Sequence, residues 1–337
     1  ADGAAGVQVF SMADPARPQL VGNVLPNAVA WAVTVHGSRG YIAEGEAGLR
    51  IVDVANPADP VSLGGYDTPG SAVGVLVDGT IAYVADQAGG VRVIDASNAA
   101  DPREIGVHET TGSTAGLARL GSHLLAASRE AGLEILEVSQ PSNPRRVAAF
   151  NPGAYVVAVA VAGTHGFIAD GAEGFQVLDL ADPTRPRRKG VVPGRFLARS
   201  MVAAGRFVYV SDANSGLRVF DVANPAGPRL RGGSSAVDPY GLAVNGGGIL
   251  IAARTGGMAM LDAFALPLGL QAVVGLVPGH VSVRVEGPTG TLARVQRSSD
   301  LRTWQDWQTV TLGDDGQTLN DPTVGPGEQR YYRAVNP

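Results

Sequence analysis

Over Leu49–Asp53 the side chains alternate in a period of two, Leu49, Ile51 and Asp53 on one face and Arg50, Val52 and Val54 on the other. That period belongs to an extended strand. An Asn-Pro-Ala-Asp-Pro turn follows, and then come three more short runs: VSLGGYD from Val61, SAVGVLV from Ser71 and IAYVAD from Ile81. Each is bounded by Gly, Pro, Asn or Asp, residues that supply turn geometry rather than strand interior. No segment carries the 3.6-residue apolar stripe of an amphipathic helix.

The four-strand pattern recurs. Gly6, Gly48, Gly90, Gly132, Gly174 and Gly216 stand 42 residues apart, and each opens a related phrase: GVQVFSMADPARP, GLRIVDVANPADP, GVRVIDASNAADP, GLEILEVSQPSNP, GFQVLDLADPTRP and GLRVFDVANPAGP. A degenerate seventh, GMAMLDAFALP, begins at Gly257. A period of this length filled by four short strands predicts an all-β chain, a β-propeller of four-stranded blades. Counting the Gly-led strand gives seven blades, the first and last incomplete. A ring of six, closed by pairing the N-terminal strands with the last unit, is the alternative. The strands around Trp31–Val35, Ala72–Val77, Val157–Val161 and Leu242–Val244 are the most continuously apolar, as an innermost strand buried between neighbours requires. The strand after each Pro turn carries Arg103, Arg145, Arg146, Arg187, Arg188, Lys189, Arg229 and Arg231, which suits the outer edge.

Leu49-Arg50-Ile51-Val52-Asp53, Val91-Arg92-Val93-Ile94-Asp95 and Phe175-Gln176-Val177-Leu178-Asp179 resemble the LVIVD repeat of bacterial and archaeal proteins. The resemblance extends over residues 1–264 and implies a propeller that is exported or attached to the cell surface. It brings no shared catalytic motif. Ser11, Glu137 and the Met258–Phe264 copy depart from its pattern.

After Leu266-Pro267 the repeat stops, and strands such as HVSVRVEG, LARVQRSSD and EQRYYRAVNP alternate between Gly-Pro and Ser-Asp turns. The division expected is a propeller over residues 1–266 and a small β-sandwich over 267–337, with Trp304, Trp307 and Tyr332 in its core. Arg297-Ser298-Ser299-Asp300-Leu301-Arg302-Thr303-Trp304 and Arg330-Tyr331-Tyr332-Arg333-Ala334 resemble a fibronectin-III-like module. That resemblance implies a spacer or adhesive accessory.

Composition narrows the function classes. The chain has no cysteine, which removes disulfides, thiolate metal sites and a cysteine nucleophile. A formal net charge of -5 gives no basic field for nucleic acid. No run of 18 apolar residues suggests a membrane-spanning helix. Ala-Asp-Gly-Ala-Ala-Gly at the start is already in repeat phase, so the expectation is that a segment upstream has been removed.

Two acidic columns invite a metal, calcium in particular. Asp53, Asp95, Glu137, Asp179, Asp221 and Asp262 occur once per unit, and such spacing spreads carboxylates around a ring, whereas calcium needs six to eight oxygens at one point. The reading preferred is a carboxylate that accepts backbone N–H bonds in the following turn. Asp2, Glu44, Asp86, Asp170 and Asp212 end the fourth strand, where hairpin-turn chemistry accounts for them. His36, His108, His123, His165 and His280 form no pair at ligand spacing, although His123 and His165 share a repeat offset. No metal site and no cofactor is expected.

Positions forced by architecture should repeat, and function is sought where they do not. The connections from each outer strand to the next inner strand contribute Asn27, Trp31, Ser71, Ser113, Tyr155, Phe196, Arg199, Asp238 and Tyr240, which differ between units and gather at the channel mouth. The candidate ligand-binding set is Asn27, Trp31, Tyr155, Phe196, Arg199, Asp238 and Tyr240. The function expected is a non-enzymatic, monomeric, extracellular or cell-surface binding or scaffold module whose partner is a protein or carbohydrate. The alternative is a polysaccharide lyase or hydrolase at the channel, with Asp238, Tyr155, Tyr240 and Arg199 as its candidates.

Overall fold

A computed structural model describes residues 1–13, 18–153, 155–171, 173–234, 239–245, 248–253, 257–262, 270–277, 280–285, 292–298, 303–311, 317–321 and 331–335. All secondary structure among the described residues is β, and it recurs as four-stranded antiparallel sheets in a propeller-like blade arrangement. The chain divides into two compact units, one of Ala1–Arg229, Ser234–Ala243 and Leu250–Met260, the other of Leu230–Gly233, Val244–Ile249 and Leu261–Pro337.

The first unit opens with a two-stranded sheet, β1 (Val7–Ser11) and β2 (Gln19–Val24). The first complete sheet is β3 (Ala32–His36), β4 (Arg39–Ala43), β5 (Leu49–Asp53) and β6 (Val61–Tyr66), in that order. Next come β7 (Gly74–Asp78), β8 (Ile81–Ala85), β9 (Val91–Asp95) and β10 (Arg103–His108). The third is β11 (Gly116–Leu120), β12 (His123–Ala127), β13 (Leu133–Glu137) and β14 (Arg145–Phe150). The fourth runs β15 (Val156–Ala162), β16 (His165–Asp170), β17 (Gly174–Asp179) and β18 (Arg187–Val192). The fifth is β19 (Ala198–Ala204), β20 (Phe207–Asp212), β21 (Gly216–Asp221) and β22 (Arg229–Ser234). A three-stranded sheet, β23 (Pro239–Asn245), β24 (Gly248–Ala253) and β25 (Gly257–Asp262), follows.

Burial follows the strand's place in its sheet. The second and third strands are almost wholly buried, as in β4 and β5, because both their faces meet neighbouring sheets. The fourth strands lie at the periphery and are largely exposed. First strands meet one another: β3 lies beside β7, β7 beside β11, β11 beside β15 and β15 beside β19. Aromatic side chains fill the space between sheets, Phe175 stacking on Phe220 with centroids 4.1 Å apart. Sheets also lock at the rim. A Cβ on Gly64 of β6 would lie 2.5 Å from the Ala99 carbonyl oxygen in the next sheet's turn, and one on Gly190 would lie 2.3 Å from that of Pro225.

The first acidic column does what turn chemistry predicts. Asp53, Asp95, Asp179 and Asp221 each accept the N–H two residues on, Ala55 at 2.8 Å, Ser97 at 2.9 Å, Ala181 at 3.1 Å and Ala223 at 3.0 Å. Glu137 accepts the Ser139 hydroxyl instead. The Asp262 side chain lies outside the described residues.

In the second unit β26 (Leu270–Val277), β27 (His280–Val285) and β30 (Gln317–Asp321) form one antiparallel sheet. A second sheet is formed by β28 (Leu292–Ser298), β29 (Gln305–Thr311) and β31 (Tyr331–Val335). Val285, Val295 and Leu319 are buried, while Trp304 and Trp307 are half-buried. The Tyr332 side chain is not among those described.

Candidate functional site at the sheet connections

The connections that enter β3, β7 and β19 are held from below by buried carboxylates. Glu44, Asp86 and Asp212, from the second acidic column, are fully buried, and each faces an arginine six residues on. Glu44 Oε1 is 2.8 Å from Arg50 Nη2, Asp86 Oδ2 is 3.5 Å from Arg92 Nε, and Asp212 Oδ2 is 2.8 Å from Arg218 Nε. The same carboxylates reach back to the preceding connection. Asp86 accepts the Thr68 hydroxyl at 2.6 Å and the Gly70 N–H at 2.8 Å; Asp212 accepts the Leu197 N–H at 3.2 Å. A buried charge must be paired and hydrogen-bonded to be tolerated, and Asp86 and Asp212 are both, while Glu44 is paired with Arg50. Burial pushes the Glu44 carboxyl above its ordinary value even though Arg50 and the Asn27 N–H oppose the shift.

One sheet reverses the polarity. The carboxylate position is Ser128 and the arginine position is Glu134. Glu134 accepts the Thr111 N–H and hydroxyl, both at 2.9 Å, and lies 3.0 Å from His108 Nε2 and 3.7 Å from Arg146. Burial raises the Glu134 carboxyl, but the bonds from His108 and Thr111 outweigh it and hold it below the usual value.

A second link is made of backbone alone. Gly3 pairs with Ala30, Gly45 with Ala72, Gln87 with Thr114 and Arg129 with Val156, each an isolated antiparallel bridge to the entry of an inner strand. The first partner takes a positive φ, 53° at Gly3 and 55° at Gly45, and also 46° at Gln87 and 40° at Arg129. An L-residue with a Cβ pays a steric penalty there.

Onto this frame the connections project the irregular side chains. Asn27, Trp31 and Tyr155 are exposed, Tyr155 by 53%. Trp31 reaches the Tyr240 ring, with centroids 6.2 Å apart at 37°, and its indole lies against Gly45. The Arg199 guanidinium stands 5.2 Å from the Tyr240 centroid, and its Nη1 donates to the Pro239 carbonyl at 3.4 Å. Trp31, Tyr240 and Arg199 thus form one continuous aromatic and cationic row. Such a cation–π contact contributes about 0.5–2 kcal/mol, depending on its exposure.

Phe196 sits elsewhere. It is 2% exposed in the core, edge-on to Phe220 at 5.6 Å, with the Arg218 guanidinium 4.6 Å from its ring. Its neighbour Leu197 takes the exposed position, at 55%. Asp238 lies outside the described residues. Leu25 and Val29, exposed on the connection that carries Asn27, belong to the same surface, and as aliphatic residues they carry no polar or aromatic signal in the sequence. Among the described residues, no three His, Asp or Glu side chains gather as a metal would need. His123 and His165 face Glu137 and Asp179 across their ladders.

Comparison with known proteins agrees with this architecture. No curated protein matches the sequence. In fold the chain is similar to the computationally designed Ika8 protein, at 10% identity and a TM-score of 0.55, covering 92% of this chain and 96% of that one. It is also similar to a chain of the mitotic checkpoint complex, at 14% identity and a TM-score of 0.62, covering 76% of this chain and 84% of that one. At such identities the likeness concerns fold alone. The LVIVD repeat model matches residues 29–68, 69–110, 153–193 and 197–234, which contain the first, second, fourth and fifth complete sheets. The chain therefore carries four LVIVD repeats on an all-β, propeller-like series of four-stranded sheets.

Proposed function

We propose that this protein is a non-enzymatic, secreted or cell-surface binding module whose sheet connections present a face to a protein or glycan. The observation that carries the reading is the row of Trp31, Tyr240 and Arg199, beside which Leu25, Val29, Tyr155 and Leu197 add exposed apolar surface. Aromatic and arginine side chains dominate binding energy where surfaces associate. The test is a screen of oligosaccharide and protein arrays with the wild type, Trp31→Ala and Tyr155→Ala. At least tenfold loss of affinity in either variant, with an unchanged far-UV spectrum, is expected. Retained affinity in both, or turnover of a bound glycan, refutes the proposal.

We further infer six blades rather than seven. Support comes from the inner strands, since Trp31 at the entry of β3 packs on Tyr240 at the entry of β23. On this reading the closing blade is built from β23–β25 together with the N-terminal strands β1 and β2. The C-terminal unit is proposed to be a fibronectin-III-like spacer.

A further inference from the structure

A second surface, away from the inner-strand connections, is distinguished by charge. The outermost strands occupy equivalent places, yet their first three residues differ from sheet to sheet. In β2 they are Gln19, Leu20 and Val21, and in β6 they are Val61, Ser62 and Leu63. In β14 they begin Arg145-Arg146, in β18 Arg187-Arg188-Lys189, and β22 begins at Arg229. Between the two groups, β10 is balanced: Arg103 lies against Asp101, and Glu104 lies 3.7 Å from Arg92.

Charged residues on an edge strand ordinarily serve to prevent pairing with another edge. That purpose would require charge on every edge. Here β2 and β6 go without it, although Leu20 and Val61 are more than half exposed, so the cations of β14, β18 and β22 form a sector and not a uniform guard. Some are locally neutralised, Arg145 by Glu137 and Lys189 by Asp179, each at 2.9 Å, and Arg146 lies 3.7 Å from Glu134. Arg187, Arg188 and Arg229 are exposed and have no ion pair among the described residues. The sector is cationic in a chain whose net charge is -5.

We propose that this rim sector binds an acidic polysaccharide, with the exposed guanidinium groups receiving its carboxylate or sulfate groups. Arginine's planar fork matches both anions in a two-point contact, and all but one of the sector's cations are arginine. The cations stand on separate outer strands of successive sheets, which a flexible polymer can follow from one to the next. Single-stranded nucleic acid is bound through aromatic platforms, and β18 contains no aromatic residue.

The experiment measures binding of the full chain to polygalacturonate and dextran sulfate, with neutral dextran, a single-stranded oligonucleotide and anionic lipid vesicles as comparators. Binding to either acidic glycan is expected, weaker at higher salt because exposed charges are screened. Arg187→Ser/Arg188→Ser should weaken it at least tenfold, Arg187→Lys/Arg188→Lys, which keeps the charge but loses the planar fork, should weaken it by a smaller factor, and Arg103→Ser on the balanced edge should leave it unchanged. Arg229→Ser is the second test should the double variant fail to fold. No binding to either acidic glycan refutes the proposal, as does full affinity in the serine variants or tighter binding to the oligonucleotide or vesicles. Because Trp31 and Tyr155 lie on the other surface, their variants should not alter this binding.

Discussion

Asp86→Ala tests whether the buried carboxylates hold one sheet's connection to the next sheet. The substitution deletes the acceptor for the Thr68 hydroxyl and the Gly70 N–H, both in a connection from the preceding sheet, and leaves the half-buried Arg92 without its nearer counterion. Removing one partner of a buried pair costs about 3–5 kcal/mol. Glu104, 3.7 Å from Arg92, remains to offset part of that charge, so we expect a loss near the lower end, about 3 kcal/mol. For a unit of this size the corresponding fall in Tm is about 6–12 °C. Asp53→Ala is the comparator: it loses a single hydrogen bond in an exposed turn, about 1 kcal/mol. Asp86→Ala/Arg92→Met, which also removes the stranded charge, should recover a measurable part of the loss, though not the bonds to Thr68 and Gly70. Thermal unfolding followed by circular dichroism and calorimetry reads all three. A loss from Asp86→Ala no larger than that from Asp53→Ala would show that the carboxylate is only a turn residue.

Three further outcomes are expected. Gln87→Gly should raise stability by about 0.5–1 kcal/mol in thermal unfolding, because it relieves a positive φ of 46° while keeping the Thr114 bridge; a destabilised variant would contradict this. Gly190→Ala should cost about 1–3 kcal/mol through overpacking against Pro225, and a neutral result would mean that the rim contact yields freely. The Glu134 carboxyl is lowered in the folded state, so its contribution is present above the unfolded value and lost as pH falls through the folded one. Replacement by Gln should flatten the acid limb of the stability profile measured from neutral to acid pH, and an unchanged limb would exclude this role.

Much of the fold can be read from the sequence because its signals are local and repeated. The alternation in Leu49–Asp53 and the Pro turn after it give strand and turn, and Asp53 does bind the turn N–H. The buried pairs were also written there, as acid and arginine six residues apart at 44 and 50, 86 and 92, and 212 and 218, but each column taken alone resembles turn chemistry. Phe196 was misleading because residues 196 and 197 compete for one core position, and only packing decides that the ring goes in and Leu197 out. The meeting of Trp31 with Tyr240 joins residues far apart in the chain, and no repeat offset announces it.

The bridges Gly3–Ala30, Gly45–Ala72, Gln87–Thr114 and Arg129–Val156 use only main-chain atoms. Neighbouring sheets are therefore fastened at their connections without drawing on the side chains displayed there. Exposed residues such as Leu25, Asn27 and Tyr155 can be exchanged with little cost to the scaffold beneath. The surface behaves as a socket of fixed geometry: if it binds a partner as proposed, replacing its exposed residues alone should change what it holds, so the same scaffold could be given a new specificity by design.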